Sequence, residues 1–258
     1  MKRCTDDLEY SGCRAERSIA IPRHRLSRTG RSGRLAAILC LFGACLCGAQ
    51  STSKPPMMQR KLSATDAEEV SRPVKETSRR RHMKKPPMAM PFHIINYRLL
   101  PAVENFAASG FMGDVSDVRL AGSYEGTREE GFPCLRVKYA ALGEAGWAGV
   151  MWQNPANNWG TVDGGYNLGR AKRLSFWARG ERGGEVVEFI VGGASAVFPD
   201  SDGLTTGDVT LRTDWTHYHF DLSQADLSYI SSGFGFVIKQ DENPRGCTFF
   251  LDEVRYQE

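Results

Sequence analysis

The segment between residues 147 and 166 concentrates tryptophan and amide side chains in a polar, glycine-containing stretch. Flat indole rings can stack on the C–H faces of a sugar ring, and planar amides can hydrogen-bond its neighbouring hydroxyls. Because exposed aromatic patches usually mark binding sites, the pattern predicts a glycan-binding loop. Its predicted residues are Trp147, Trp152, Gln153, Asn154, Asn157, Asn158, Trp159 and Tyr166. In an alternative interpretation, Trp152 and Trp159 fold back as a lid over the core and the amides cap turns.

Catalytic chemistry has weaker support in the sequence. It contains no Gly-x-Ser-x-Gly elbow, no phosphate-binding glycine loop and no His-Glu-x-x-His motif. His217 and His219 lie two residues apart, so they share one face of a predicted strand, with Tyr218 between them. A carbohydrate-active enzyme with its site on the domain surface therefore stays an alternative.

The elements that position these residues are short strands. Alternating apolar runs bounded by turn residues predict strands, and no helical pattern intervenes, which indicates an all-β antiparallel sandwich. The spacer 180–184 has the composition of a hairpin connection. In the last run the apolar phase flips across Asp252 and Glu253, which predicts a β-bulge that turns the Asp252 carboxylate aside. The predicted strands cover 134–139, 173–179, 185–191, 208–211, 215–220, 233–239 and 247–256.

Several motifs in the body of the chain are familiar together. They are 109–114 (SGFMGD), 147–160 (WAGVMWQNPANNWG), 164–168 (GGYNL), 174–180 (LSFWARG), 214–218 (DWTHY) and 248–254 (TFFLDEV). With them, about residues 105–258 resemble a family of bacterial secreted modules with the galactose-binding-like jelly roll, related to carbohydrate-binding modules. The resemblance implies a jelly-roll β-sandwich that binds glycans and often carries a structural calcium ion.

Calcium prefers six to eight oxygen ligands, two or three of them usually carboxylates. Asp252 at the predicted bulge is the first candidate ligand, and Asp114 and Asp117 are its candidate partners because first and last strands are commonly neighbours in such folds. The sequence 200–203 (DSDG) looks like part of a calcium loop, although a turn held by aspartates explains it equally well.

Cys134 and Cys247 are the two cysteines of the body, and a disulfide between them would suit an oxidising compartment. The strand phase argues against it, because Cys134 shares a face with charged residues and Cys247 shares one with Phe249 and Leu251. Both possibilities stay open at this point.

The region before the body predicts export. Residues 35–47 form a short, mostly apolar stretch after a basic flank, and small residues follow, as in a secretory signal whose cleavage site precedes Gln50. Residues 1–49 are therefore predicted to be a leader and signal segment. A gene start assigned too far upstream would explain the length of the leader before the apolar stretch. The predicted destination is the periplasm, the cell envelope or the extracellular space, with lipidation at Cys45 as an alternative anchor.

Residues 50–92 are interrupted by prolines and poor in apolar residues, so they predict a disordered basic tether before the module 93–258. Net charge is +5 for residues 1–49, +6 for 50–92 and −8 for 93–258. An acidic body is poorly suited to nucleic acid, whereas the basic tether could contact an anionic envelope surface. Removal of the leader would leave no transmembrane helix.

The leading functional prediction is a secreted, non-catalytic glycan-binding module that uses tryptophan stacking and amide hydrogen bonds. A structural or protein-interaction module of the cell envelope is the first alternative, and the carbohydrate-active enzyme is the second.

Overall fold

The computed structural model describes residues 18–26, 85–97 and 105–258, and within these ranges the chain forms thirteen strands. A 3-10 turn spans Val115–Asp117. No helix in the described ranges is long and apolar enough to cross a membrane. The strands are β1 (Ser18–Ile21), β2 (His24–Arg25), β3 (Phe92–Ile95), β4 (Ala107–Gly113), β5 (Val118–Ser123), β6 (Cys134–Tyr139), β7 (Trp147–Gln153), β8 (Arg173–Gly180), β9 (Val186–Gly192), β10 (Gly203–Thr210), β11 (Thr216–Asp221), β12 (Ser232–Lys239) and β13 (Cys247–Gln257).

Two sheets pack face to face. The first has the order β1-β11-β8-β13-β6-β5, with β3 also paired to β13, and the second has the order β2-β10-β9-β12-β7-β4. Neighbouring strands are antiparallel, except that β1 runs parallel to β11. The prediction of an all-β sandwich of the jelly-roll type is confirmed.

The core between the sheets is aromatic. Phe176 of the first sheet lies 4.6 Å, centroid to centroid, from Phe189 of the second. Phe236 of the second sheet meets Phe249 of the first at 5.3 Å in an edge-to-face contact. Such pairs add roughly 0.5–1.5 kcal/mol beyond the burial of their area, so they hold the second sheet firmly against the first.

The sequence interpretation was wrong about residues 147–153, which form the internal strand β7 rather than a loop. Ala148, Val150 and Trp152 are buried in the core between the sheets, so the alternation of a half-buried strand overrides the loop composition that follows it. The spacer 180–184 was also misjudged: it carries the chain from the first sheet to the second instead of closing a hairpin.

The predicted bulge in the last strand is confirmed. The pairing of β13 with β8 shifts register between Asp252 and Arg255, and Glu253 adopts a left-handed conformation with φ of 48°. Asp252 Oδ2 lies 3.2 Å from Arg128 Nε, so the carboxylate at the bulge meets a cationic side chain.

Two segments from the first 92 residues lie against the sandwich. Residues 18–26, within the predicted leader, form β1 and β2, and residues 85–92, within the predicted tether, contact the body through Lys85, Pro87 and Phe92. The apolar stretch 35–47, Cys45 and most of the tether lie outside the described residues.

Candidate functional site

The outer face of the second sheet holds the candidate site. Along β7, the residues of the opposite parity to the core residues point to this face, so Trp147, Met151 and Gln153 lie on it. Trp147 and Gln153 are six residues apart, which places their Cα atoms roughly 20 Å from each other. The site therefore extends along the strand, and a long ligand fits it better than a compact one.

An apolar floor covers the middle of this face. It consists of Met112, Met151, Ile190 and Val237, each at most 2 % exposed. An antiparallel sheet normally presents polar side chains on its solvent side. A buried apolar cluster on the outer face is therefore a feature that the core does not require.

Glycines make room for this floor. A Cβ atom at Gly235 would come within 2.8 Å of the Met151 sulfur and of a backbone oxygen, and one at Gly110 would come equally close to Gln153. Without side chains at these two positions, Met151 and Gln153 can lie low along the sheet. The result is an apolar layer that lies close to the sheet.

Two half-buried tryptophans pack on the floor. Trp147 begins β7, while Trp159 reaches the floor from the loop that follows this strand, and Leu26 adds a third contact. Each indole keeps part of its surface in solvent. These are two of the aromatic residues that the sequence singled out.

Gln153 provides the polar groups near the far end of β7. Its Oε1 accepts a hydrogen bond from Ser109 Oγ at 3.2 Å, and the same hydroxyl accepts from the Asn157 backbone N–H at 2.8 Å. Gln153 is 1 % exposed, yet its Nε2 finds no hydrogen-bond acceptor among the described residues. A buried amide donor without an acceptor is costly, so Gln153 keeps hydrogen-bonding capacity that the described residues do not use.

A charged group lies near Trp147. Lys239, which pairs with Trp147 across the strands, places its Nζ 2.7 Å from Asp208 Oδ1 and 3.2 Å from Glu188 Oε2. Burial lowers the pKa of Lys239, but the two carboxylates outweigh it and raise that pKa overall. Thr205 Oγ1 donates to Glu188 Oε1. The group supplies fixed donors and acceptors, as hydroxyl recognition requires.

The other predicted binding residues have structural roles. Trp152 is buried in the core against Phe234 and Phe236, so its indole cannot stack on a ligand and its assignment is corrected. Asn158 caps its own turn, where Oδ1 accepts from the backbone N–H groups of residues 160–162. Asn154 donates to the Tyr166 hydroxyl.

Tyr166 packs its ring against Phe92 and Phe106. The structure therefore brings Trp147, Gln153, Asn157 and Trp159 to the candidate face and leaves Trp152, Asn154, Asn158 and Tyr166 in the scaffold. The alternative interpretation of a structural lid holds for the burial of Trp152 and for the amide caps.

Sequence reasoning missed the residues that other strands bring to the face. The sequence does indicate that Glu188 is unusual, because it is a charged side chain inside the apolar run of β9. In the structure it is 3 % exposed. Met112, Met151 and Val237 had none, since an apolar residue in a strand is ordinarily assigned to the core.

The three predicted calcium ligands are not brought together. Asp117 accepts from the backbone N–H groups of Leu142 and Gly143, and Asp114 accepts from those of Ala145 and Gly146. Asp252 lies at the opposite end of β6, near Leu135, whereas Asp117 lies near Tyr139.

Calcium oxygens lie 2.3–2.6 Å from the ion, so these carboxylates do not fit one site. Within the described ranges no group of three or more His, Cys, Asp or Glu side chains could hold a metal ion. In the sequence 200–203, Asp200 and Asp202 accept backbone hydrogen bonds and thereby hold turns.

The two body cysteines are free and buried, and the register explains why. Cys247 faces Tyr139 at one end of β6, and Cys134 is the residue at the other end. Five residues of strand separate them, roughly 16 Å, whereas bridged Cα atoms lie within about 7 Å. The disulfide that the sequence left open is therefore excluded in this fold.

The residues that suggested an enzyme do not converge. Tyr218 is buried and stacks on Phe176 in the core, while His217 stacks on Trp177 at 4.7 Å on the outer face of the first sheet. His219 Nδ1 lies 2.9 Å from Ser18 Oγ. The tyrosine hydroxyl and the two imidazoles therefore do not share a cleft.

Solved structures that are similar to this chain include several carbohydrate-binding modules. No protein-family model matches the chain, and a comparison with curated proteins also finds no match. A family 30 carbohydrate-binding module is 20 % identical, with 63 % of this chain and 90 % of that chain covered and a TM-score of 0.42.

The family 11 module of a cellulosomal cellulase of Clostridium thermocellum is 12 % identical, with coverages of 66 % and 95 % and a TM-score of 0.43. A family 29 module variant is 13 % identical, with coverages of 66 % and 85 % and a TM-score of 0.40.

Proposed function

We propose that this protein is a non-catalytic glycan-binding module whose ligand lies along the outer face of the second sheet. The observation that carries the proposal is the apolar cluster on that face, with the half-buried indoles of Trp147 and Trp159 packed on it. Sugar rings have apolar C–H faces, and an indole offers a rigid surface for them at low conformational cost.

Polar groups near both ends of β7 support the same function. The Gln153 amide, whose Nε2 has no acceptor among the described residues, lies at one end, and Lys239 with its two carboxylates lies at the other. An aromatic surface flanked by directed donors and acceptors can bind a ring by stacking and fix its hydroxyls by hydrogen bonds. The length of the face favours an oligosaccharide segment of a polysaccharide over a single sugar.

Tryptophan substitutions test the proposal. Trp147→Ala and Trp159→Ala should each weaken glycan binding by about five- to thirtyfold, because each removes an aromatic contact worth about 1–2 kcal/mol. The measurement is affinity electrophoresis against a panel of soluble polysaccharides, followed by isothermal titration with oligosaccharides of the best ligand. Gln153→Ala should weaken binding to a smaller extent, since it removes hydrogen bonds only.

Trp215→Ala is the matched control. Trp215 is also half-buried, but it belongs to the other side of the molecule, where its indole N–H donates to the Gly126 carbonyl. This variant should keep full affinity. Equal loss of binding in all three tryptophan variants, or no binding of the intact protein to any polysaccharide, would contradict the proposal, and a co-purifying envelope protein would favour the interaction module instead.

We further propose that the chain acts outside the cytoplasm, which rests on the signal-like stretch 35–47 and on the basic tether that follows it. A glycan-binding module on such a tether could keep the protein near a polysaccharide or an anionic envelope surface. N-terminal sequencing of the native protein, recovered from fractionated cells, tests the export and the position of cleavage together.

A further inference from the structure

Residues 18–26 bind to two sheet edges at once. β1 extends the first sheet by pairing in parallel with β11, from Ser18 opposite His217 to Ile21 opposite Phe220. β2 extends the second sheet by pairing with β10. Pro22 lies between the two strands, where a residue without an N–H costs no ladder hydrogen bond, so one short segment covers both edges on this side of the sandwich.

Side chains anchor the segment at defined positions. Ile21 is 8 % exposed and belongs to the main core, whereas Ile19, in the same strand, is 37 % exposed. At the end of the segment the backbone N–H of Leu26 donates to the Gly203 carbonyl, and its side chain packs on the apolar floor of the second sheet. The segment thus has one apolar anchor at the end of β1 and a second one after β2.

Charge complementarity adds to this recognition. Arg23 pairs with Asp221 at 3.8 Å, and Arg25 pairs with Asp202 at 3.3 Å. The segment is basic and residues 93–258 carry a net charge of −8. Ion pairs this exposed contribute little energy, but they help to orient a basic peptide on an acidic edge.

We propose that β10 and β11, one strand from each sheet, together form a peptide-binding site. Residues 18–26 are its ligand, and we call this segment the clasp because it can detach. The site takes an extended peptide that contains a buried isoleucine, a proline and two arginines. This peptide adds a strand to each sheet by β-augmentation. In a chain cut after Ala49, the clasp would be a separate peptide and both edges would be open to it or to a similar segment. Uncovered edges are also sites of unwanted strand pairing.

Two isoleucines of one strand make a matched test in the full-length chain. Ile21→Ala removes the buried anchor and should raise the amide hydrogen-exchange rates of β10 and β11 by about tenfold or more, because the clasp then opens more often. Ile19→Ala should change those rates by less than about twofold. Unchanged exchange in β12 and β13 confirms that each variant is folded.

A peptide experiment tests recognition directly. A fluorescent peptide of sequence SIAIPRHRL should bind the full-length Ile21→Asp protein, whose own clasp is displaced, and should bind the unaltered protein at least about tenfold more weakly. The same peptide with Asp in place of its second isoleucine is the negative control. Equal exchange in the two alanine variants, or no difference between the two peptides, overturns the proposal. Neither readout involves a glycan, so the result is independent of the function proposed above.

Discussion

Asp200 is a buried carboxyl group that accepts hydrogen bonds from two segments of the chain that are distant in sequence. Its Oδ1 accepts from the Ser231 backbone N–H at 2.6 Å and from Ser231 Oγ at 2.7 Å, and its Oδ2 accepts from the Ala194 N–H at 3.0 Å. Burial raises the pKa of Asp200 to about 6, although these hydrogen bonds act in the opposite direction. A single side chain thus links the loop after β9 to the start of β12.

This raised pKa predicts a pH-dependent stability. The folded protein holds the Asp200 proton up to about pH 6, whereas the unfolded chain loses it near pH 4. Because the native state binds more protons between these values, the free energy of unfolding should fall as pH rises from about 4 to about 6, by about 2–3 kcal/mol. Urea unfolding at intervals of half a pH unit measures this slope.

Asp200→Asn should remove that slope, since the amide does not titrate, and should lower stability overall because its NH₂ group meets N–H donors. The exposed Asp226, whose carboxylate accepts from the Ser228 N–H, gives the control Asp226→Asn, which should keep the slope. An unchanged slope in Asp200→Asn would show that another group titrates.

At the scale of elements, the loop between β5 and β6 is fastened to the bulge of β13 by one arginine. Arg128 meets Asp252 at 3.2 Å and Glu253 at 2.9 Å, and its guanidinium lies 4.7 Å from the Trp177 ring centroid. The Asp252 side chain is 5 % exposed and that of Arg128 is 17 % exposed. The bulge therefore places a nearly buried carboxylate where it needs a cation.

Arg128→Ala should destabilise the protein by about 2–3 kcal/mol, somewhat less than the loss of a partner in a fully buried pair, because Arg128 keeps some contact with solvent. Arg136→Ala is the control, since Arg136 pairs with the exposed Glu125, and it should cost less than about 1 kcal/mol. Chemical denaturation of both variants gives the comparison. If both variants lost the same free energy of unfolding, the Arg128 contact would stabilise the protein no more than an exposed ion pair does.

The strands themselves were predictable where polarity alternates or where one face is plainly apolar, as in β6, β8 and β12. β7 was not, because Gln153 ends it and a run of Asn and Pro follows at once, so local turn chemistry obscured the alternation of Ala148, Val150 and Trp152. For the same reason the sequence identified Trp147 and Trp159 as candidates but could not separate them from Trp152. Which face a tryptophan meets depends on strand register, and that is a tertiary property.

The other residues of the candidate face could be recognised only from the tertiary structure. Ile190, Val237 and Lys239 come from strands distant in sequence, and only the order β9-β12-β7 places them beside Trp147 and Met151. Pairing of that kind leaves no periodic signal in a single strand, since an outward-facing apolar residue reads like a core residue.

At the scale of the whole molecule, charge distribution relates the N-terminal region to the sandwich. Each of three basic side chains from the first 92 residues pairs with a carboxylate of the body: Arg23 with Asp221, Arg25 with Asp202 and Lys85 with Asp163. The net charge of +3 for the chain hides this division between a basic N-terminal region and an acidic body. Attraction between the two parts is screened by salt, so contacts of the clasp should weaken as ionic strength rises.

Cys134 and Cys247 lie near opposite ends of one strand pair, and they can report whether the sandwich unfolds as a unit. Burial, with a smaller contribution from the Asp252 charge, raises the pKa of the Cys134 thiol to about 11, and burial raises that of Cys247 to about 12. At pH 8 about one Cys134 thiol in a thousand would be a thiolate even if a reagent could reach it. N-ethylmaleimide should therefore modify neither cysteine in the folded protein.

The test labels the full-length chain at a series of urea concentrations. Mass spectrometry of the peptides that contain each cysteine then measures the reactivity of each thiol. Both thiols should become reactive together, at the urea concentration where tryptophan fluorescence reports unfolding, because two sheets that share one core lose their packing cooperatively. Labelling of Cys247 well before Cys134 would instead mean that this end of the sandwich opens on its own. A disulfide-linked pair of these peptides would contradict the register of β6 with β13.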